Sequence, residues 1–177
     1  MFVLALIASG VETPYELKTA AGLSPGATIP ALVRLLEADF VLQGKPGLRG
    51  RADYKMTAAG RRYLECGWKK LIEDGPSGDL DADLRVALLA LFVGGDRGIA
   101  KDFLRLTSAH RLESADKLEE PTESSSLPPL ALWYRRLRSA SSEALMKGES
   151  AAALAMAKAL PRKPSGSQKR DRAISKS

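Results

Sequence analysis

Residues Ser24 to Val41 read SPGATIPALVRLLEADFV, and the fold turns on how this stretch is parsed. Ser24 is a helix-start residue whose side chain can accept a hydrogen bond from a free backbone N–H. Pro25 stands at the first helical position, where its missing N–H costs nothing. Leu32, Leu35 and Leu36 follow at helical spacing and predict an apolar stripe. Ala27, Thr28, Ala31 and Arg34 fall off that stripe, which predicts an outer face of small side chains, one hydroxyl and one guanidinium. Such a face can lie close against a flat, charged surface such as a DNA major groove.

Working outward, residues 2–8 are apolar and predict a short helix that Ser9-Gly10 ends. Thr13-Pro14-Tyr15-Glu16 has the form of a capping box with proline at the first helical position. The helix it starts runs to about Ala21, with Leu17 and Ala20 or Ala21 inward, and Gly22 stops it. Two helices joined by this tight, glycine-containing turn make a helix-turn-helix. After Asp39 the period changes. Phe40-Val41-Leu42 predicts a strand, Gln43 to Gly50 a basic turn, and residues 51–56 a returning strand with Ala52, Tyr54 and Met56 on one face. Thr57 can cap a helix from about Ala58 to Ile72 whose apolar side is Tyr63, Leu64, Trp68, Leu71 and Ile72. The expected fold class is therefore mainly α with a small β-hairpin: an N-terminal winged helix-turn-helix over 1–74, with recognition helix 24–38 and basic wing 43–55.

A second, helical domain is expected over 79–160. Asp79, Asp81 and Asp83 have the alternation of a calcium loop. They precede an apolar helical run without the required glycine, so they read as charge at a helix start. Residues 86–93 are apolar almost all round and predict burial. Ile99 to Leu112 predicts a helix with Ile99, Phe103, Leu104 and Leu106 inward. After a polar loop over 119–129, a helix from Leu130 to about Lys147 carries Leu130, Tyr134, Leu137, Ala144 and Leu145 on one side. An alanine-rich helix from about Glu149 to Leu160 is expected to follow. Residues 161–177 are basic, rich in serine and expected to be disordered.

The net charge of +6 is unevenly placed. Between 43 and 62 there are six Lys/Arg against Asp53 alone, and between 161 and 177 six against one. Focused positive charge suits a polyanion, while the simpler reading of the tail is solubility. One cysteine, Cys66, forbids an internal disulfide and fits a cytoplasmic setting. No apolar run reaches transmembrane length, and the apolar start lacks the basic residues of a signal peptide. Catalysis is not expected: the one histidine, His110, and Cys66 lie on separate predicted helices, and no spacing suits a metal or cofactor.

Double-stranded DNA is the expected partner. Ser24, Thr28 and Arg34 are the candidate contacts from the recognition helix, and arginine can pair with guanine edges or a phosphate. Lys45, Arg49, Arg51 and Lys55 would hold the backbone beside the groove, and Tyr15 could donate to a phosphate near a helix N-terminus. Trp133 and Tyr134, adjacent on a helix, would pack in the core or a dimer interface, or line a pocket for an aromatic effector.

Together these residues resemble the PadR family of bacterial winged-helix transcription regulators. The resemblance rests on Tyr15-Glu16-Leu17, Ser24-Pro25-Gly26, Pro30-Ala31-Leu32 and Arg34-Leu35, then Arg51, Tyr54, Thr57 and Gly60, over roughly residues 2–72. The chain departs from the pattern at Ile29, where the family usually has an aromatic residue, and at Asp39, where it usually has glycine. The resemblance implies a sequence-specific regulator, usually a repressor. It also implies a homodimer paired through C-terminal helices and, in some members, a response to flat apolar compounds. The alternative is a winged helix that binds another protein without specific DNA binding.

Overall fold

The computed structural model describes residues 1–44, 52–118 and 128–162. Among these, the chain is mainly helical with one two-stranded antiparallel sheet. The elements are α1 (Phe2–Ala8), α2 (Pro14–Ala21), α3 (Pro25–Glu37), β1 (Val41–Gln43), β2 (Tyr54–Met56), α4 (Ala58–Glu73), α5 (Leu80–Phe92), α6 (Arg97–Asp116) and α7 (Pro129–Ala159). Two compact units result, built on Met1–Glu65 and Cys66–Leu160, and the division falls inside α4. No described helix is long and apolar enough to cross a membrane.

In the first unit, the expected capping box forms at α2. Thr13 Oγ1 accepts from the Glu16 N–H, and the Glu16 carboxylate accepts from the Thr13 N–H at 3.0 Å. Gly22, at φ 67°, ends the helix in the left-handed region that glycine enters without strain. Ser24 caps α3 by accepting from the Ala27 N–H at 3.3 Å. The other end of α3 closes with the Asp39 N–H on the Leu36 carbonyl and the Phe40 N–H on the Leu35 carbonyl. This is a Schellman arrangement, with Asp39 at φ 55° where glycine is the relaxed choice. Leu4, Ile7, Leu17, Leu23, Leu32, Leu35, Val41 and Leu64 form the core, each contributing roughly 1.5–3 kcal/mol by leaving water.

The hairpin pairs Val41 with Met56, Leu42 with Lys55 and Gln43 with Tyr54. Val41 points into the core while Leu42 is exposed, the alternation of a half-buried strand. A further bond was not legible in the sequence: the Tyr54 N–H donates to the Glu12 carbonyl at 2.8 Å, so the segment after α1 borders β2. Thr57 Oγ1 donates to the Asp39 carbonyl at 2.7 Å and accepts from the Gly60 N–H at 2.9 Å, tying the start of α4 to the end of α3. The Phe40 and Tyr63 rings stack with centroids 4.4 Å apart. The expected basic turn and basic tail lie largely outside the described residues.

In the second unit, Asp79 caps α5, accepting from the Asp81 and Ala82 N–H groups. Asp83 stands in the first turn of α5, the helix-start charge that the sequence predicts. It is 1% exposed, and its Oδ1 accepts from both the Ser77 N–H and hydroxyl at 2.8 and 2.9 Å. Ala87, Leu89, Ala90 and Leu91 are buried as expected, but Phe92 faces out. Trp68, in the last part of α4, is buried, and a methyl group at Gly94 would stand 2.5 Å from its ring.

The buried face of α6 is Ala100, Phe103, Leu104, Thr107, Ser108, Arg111 and Ala115. Leu106 and Ile99, both expected inward, are exposed, at 52% and 37%. The helical period was right, but small and polar residues take the inner positions because α7 approaches closely. Its facing residues are Ser150, Ala153 and Ala157. The two helices run antiparallel: Ser108 and Ser150 hydroxyls are 2.7 Å apart, and Arg111 Nη2 is 3.0 Å from Glu149 Oε2. Arg97 donates to the Leu160 carbonyl at 3.1 and 3.2 Å, favourable for a cation at a helix C-terminus. The two helices expected over 130–160 are one, α7, which continues through Gly148. Helix formers on both sides carry this exposed glycine.

Candidate nucleic-acid interface

The outer face of α3 is the centre of the candidate site. Counting about 100° per residue around the helix, Thr28, Leu32 and Leu35 fall together on the inner side. All three are buried there. Thr28 therefore corrects the sequence reading: at 1% exposure it cannot reach a groove, and its Oγ1 donates to the Ser24 carbonyl at 2.9 Å. A hydroxyl that satisfies itself on the previous turn is free to be buried, which is why polarity misled the assignment. Ser24 is exposed but serves as the helix cap.

The residues that do face out are Gly26, Ala27, Ile29, Pro30, Val33, Arg34 and Glu37. Ile29 is 56% exposed and Val33 46%. Sequence reasoning missed both as surface groups because they are apolar, although the same helical count turns them roughly 90° and 135° away from the buried row of Thr28, Leu32 and Leu35. Arg34 is exposed and its Nε donates to the Pro30 carbonyl at 3.1 Å, so the guanidinium lies along its own helix. It also stands near the start of α1: burial lowers the pKa of the Met1 amino group from its ordinary value, and Arg34 adds to this.

Tyr15 stands in the first turn of α2 and is 59% exposed. Lys55 projects from the outer face of β2, with Nζ 4.0 Å from Asp53 Oδ2. That separation is a loose surface pair worth little, so the ammonium is available to an anion. Lys45, Arg49 and Arg51 lie outside the described residues.

Trp133 and Tyr134 are 60% and 64% exposed on α7, with the Arg136 guanidinium 5.7 Å from the Trp133 ring. They are not core residues. The pairing of Ser108 with Ser150 and Arg111 with Glu149 sets the antiparallel offset. It brings the end of α6 opposite roughly residue 143, so about 20 Å of α7 extends past α6 at 1.5 Å per residue. Leu130, Trp133, Tyr134 and Leu137 occupy this extension at helical spacing, and all are exposed.

Neither a protein-family model nor a curated protein matches the chain.

Proposed function

We propose that this protein is a sequence-specific DNA-binding transcriptional regulator of the winged-helix class, acting as a homodimer, most simply as a repressor. The observation that carries this reading is the first unit. A capped helix follows another through a tight turn, keeps its outer face exposed, and leads into an antiparallel hairpin whose sequence concentrates positive charge. On this reading α3 enters the major groove. Lys45, Arg49, Arg51 and Lys55 hold the backbone, positioning the protein without reading sequence.

The extension of α7 supports the dimer. A row of large apolar side chains this exposed marks an interaction face. A second copy of the same helix is the partner that the family resemblance implies. An aromatic effector, if this regulator takes one, would bind where Trp133 and Tyr134 meet that partner.

Selection from a random-sequence duplex pool with the full-length protein tests the proposal. The enriched sites should be pseudo-palindromes whose half-sites are about one helical turn apart, some 10–10.5 bp. No enrichment over the input pool would overturn it. A second reading, a winged helix that holds another protein, is favoured by one observation. The outer face of α3 carries Ile29 and Val33 and a single cation, Arg34.

A further inference from the structure

We infer that Ile29 and Val33 read thymine methyl groups, so the half-site this protein selects is recognised through apolar contact more than through hydrogen bonds. The inference rests on the DNA-binding reading above and deepens it.

The argument begins with what α3 offers a groove. Ile29 and Val33 lie one turn apart, separated by about 40° around the helix, and Pro30 is exposed beside them. Together they make a continuous apolar ridge. A base edge recognised by hydrogen bonds needs donors or acceptors on the reading helix. Here Thr28 is buried and bonded to its own helix, Ser24 is the cap, and Arg34 is turned along the helix onto the Pro30 carbonyl. Glu37, the other exposed polar side chain of α3, is in its last turn.

In the major groove, the one apolar feature on any base pair is the C5-methyl of thymine. An isoleucine and a valine pressed against any other edge would strip water from polar groups and return no hydrogen bond, which is unfavourable. The same ridge against a methyl removes apolar surface from water on both sides. DNA is favoured over a protein partner by charge: six of the seven charged residues between 43 and 62 are basic, which an apolar protein groove does not call for.

The test uses full-length protein and the duplex most enriched from the random pool, in two forms: as selected, and with deoxyuridine in place of every thymidine. Uracil keeps each hydrogen-bonding group and loses only the methyl. Anisotropy titrations should show weaker binding to the uracil duplex, by about fourfold per contacted methyl. The Ile29→Ala, Val33→Ala protein should bind the two duplexes with a ratio near one. The cycle of side-chain and methyl removal then separates direct contact from any change in DNA flexibility. Equal binding of both duplexes by the wild-type protein would overturn the inference and leave the DNA-binding reading intact. So would a thymine preference unchanged in the double variant. Failure to enrich any duplex would overturn both, and would assign the ridge to a protein partner.

Discussion

Gly60 shows how a single residue holds the first unit together. A methyl group there would fall 2.2 Å from the Phe40 carbonyl oxygen, a backbone atom that already accepts the Thr57 N–H. Gly60→Ala should therefore destabilise the protein by about 1–3 kcal/mol, read by chemical denaturation. Asp39 is the opposite case. Its φ of 55° is strained for an aspartate, so Asp39→Gly should be neutral or stabilising despite removing a side chain. The capping residues Thr13 and Ser24 were legible in the sequence because their roles depend on local spacing. Thr28 was not, because burial of a hydroxyl depends on a bond to the preceding turn that residue type does not announce. The same holds for Asp83, whose partner Ser77 lies before the helix that carries it.

At the scale of elements, helices were easier to read than the faces they bury. The period of α6 was correct, yet Leu106 is outside and Ser108 and Arg111 are inside. Close packing against α7 admits small and polar side chains on the inner face and leaves a large apolar one outside. The Arg111–Glu149 pair now fixes the α6–α7 register. Glu149→Leu alone should cost about 3 kcal/mol by leaving a buried guanidinium unpaired, whereas Arg111→Met with Glu149→Leu should be far milder. Denaturation midpoints of the two variants compare them directly. The helix does not break near Gly148, because the flanking sequence favours helix strongly enough to absorb one glycine. Nothing lies within 4 Å of a methyl placed there, so Gly148→Ala should stabilise α7 by about 0.5–1 kcal/mol in the same assay.

At the scale of the whole molecule, mainly helical architecture with one hairpin followed from periodicity and turn residues. The candidate site followed only in part. Charge pointed to the segment between 43 and 62, while the apolar ridge of Ile29 and Val33 emerged only once α3 was seen packed. The α7 extension is legible as an apolar stripe, but the exposure of Leu130, Trp133, Tyr134 and Leu137 is not. Replacing Trp133 and Leu137 with glutamate should halve the mass seen by light scattering while leaving helical content unchanged. A mass unchanged by this double variant would move the proposed dimer interface elsewhere. The central claim, sequence-specific binding of DNA, is tested most directly by anisotropy titration of the full-length protein. The titration compares the enriched duplex with a scrambled duplex of the same composition across a salt series. The account predicts binding to the enriched duplex at least a thousandfold tighter than to the scrambled one, with affinity for both falling as salt rises. Equal, weak binding to the two duplexes that vanishes together with added salt would contradict it.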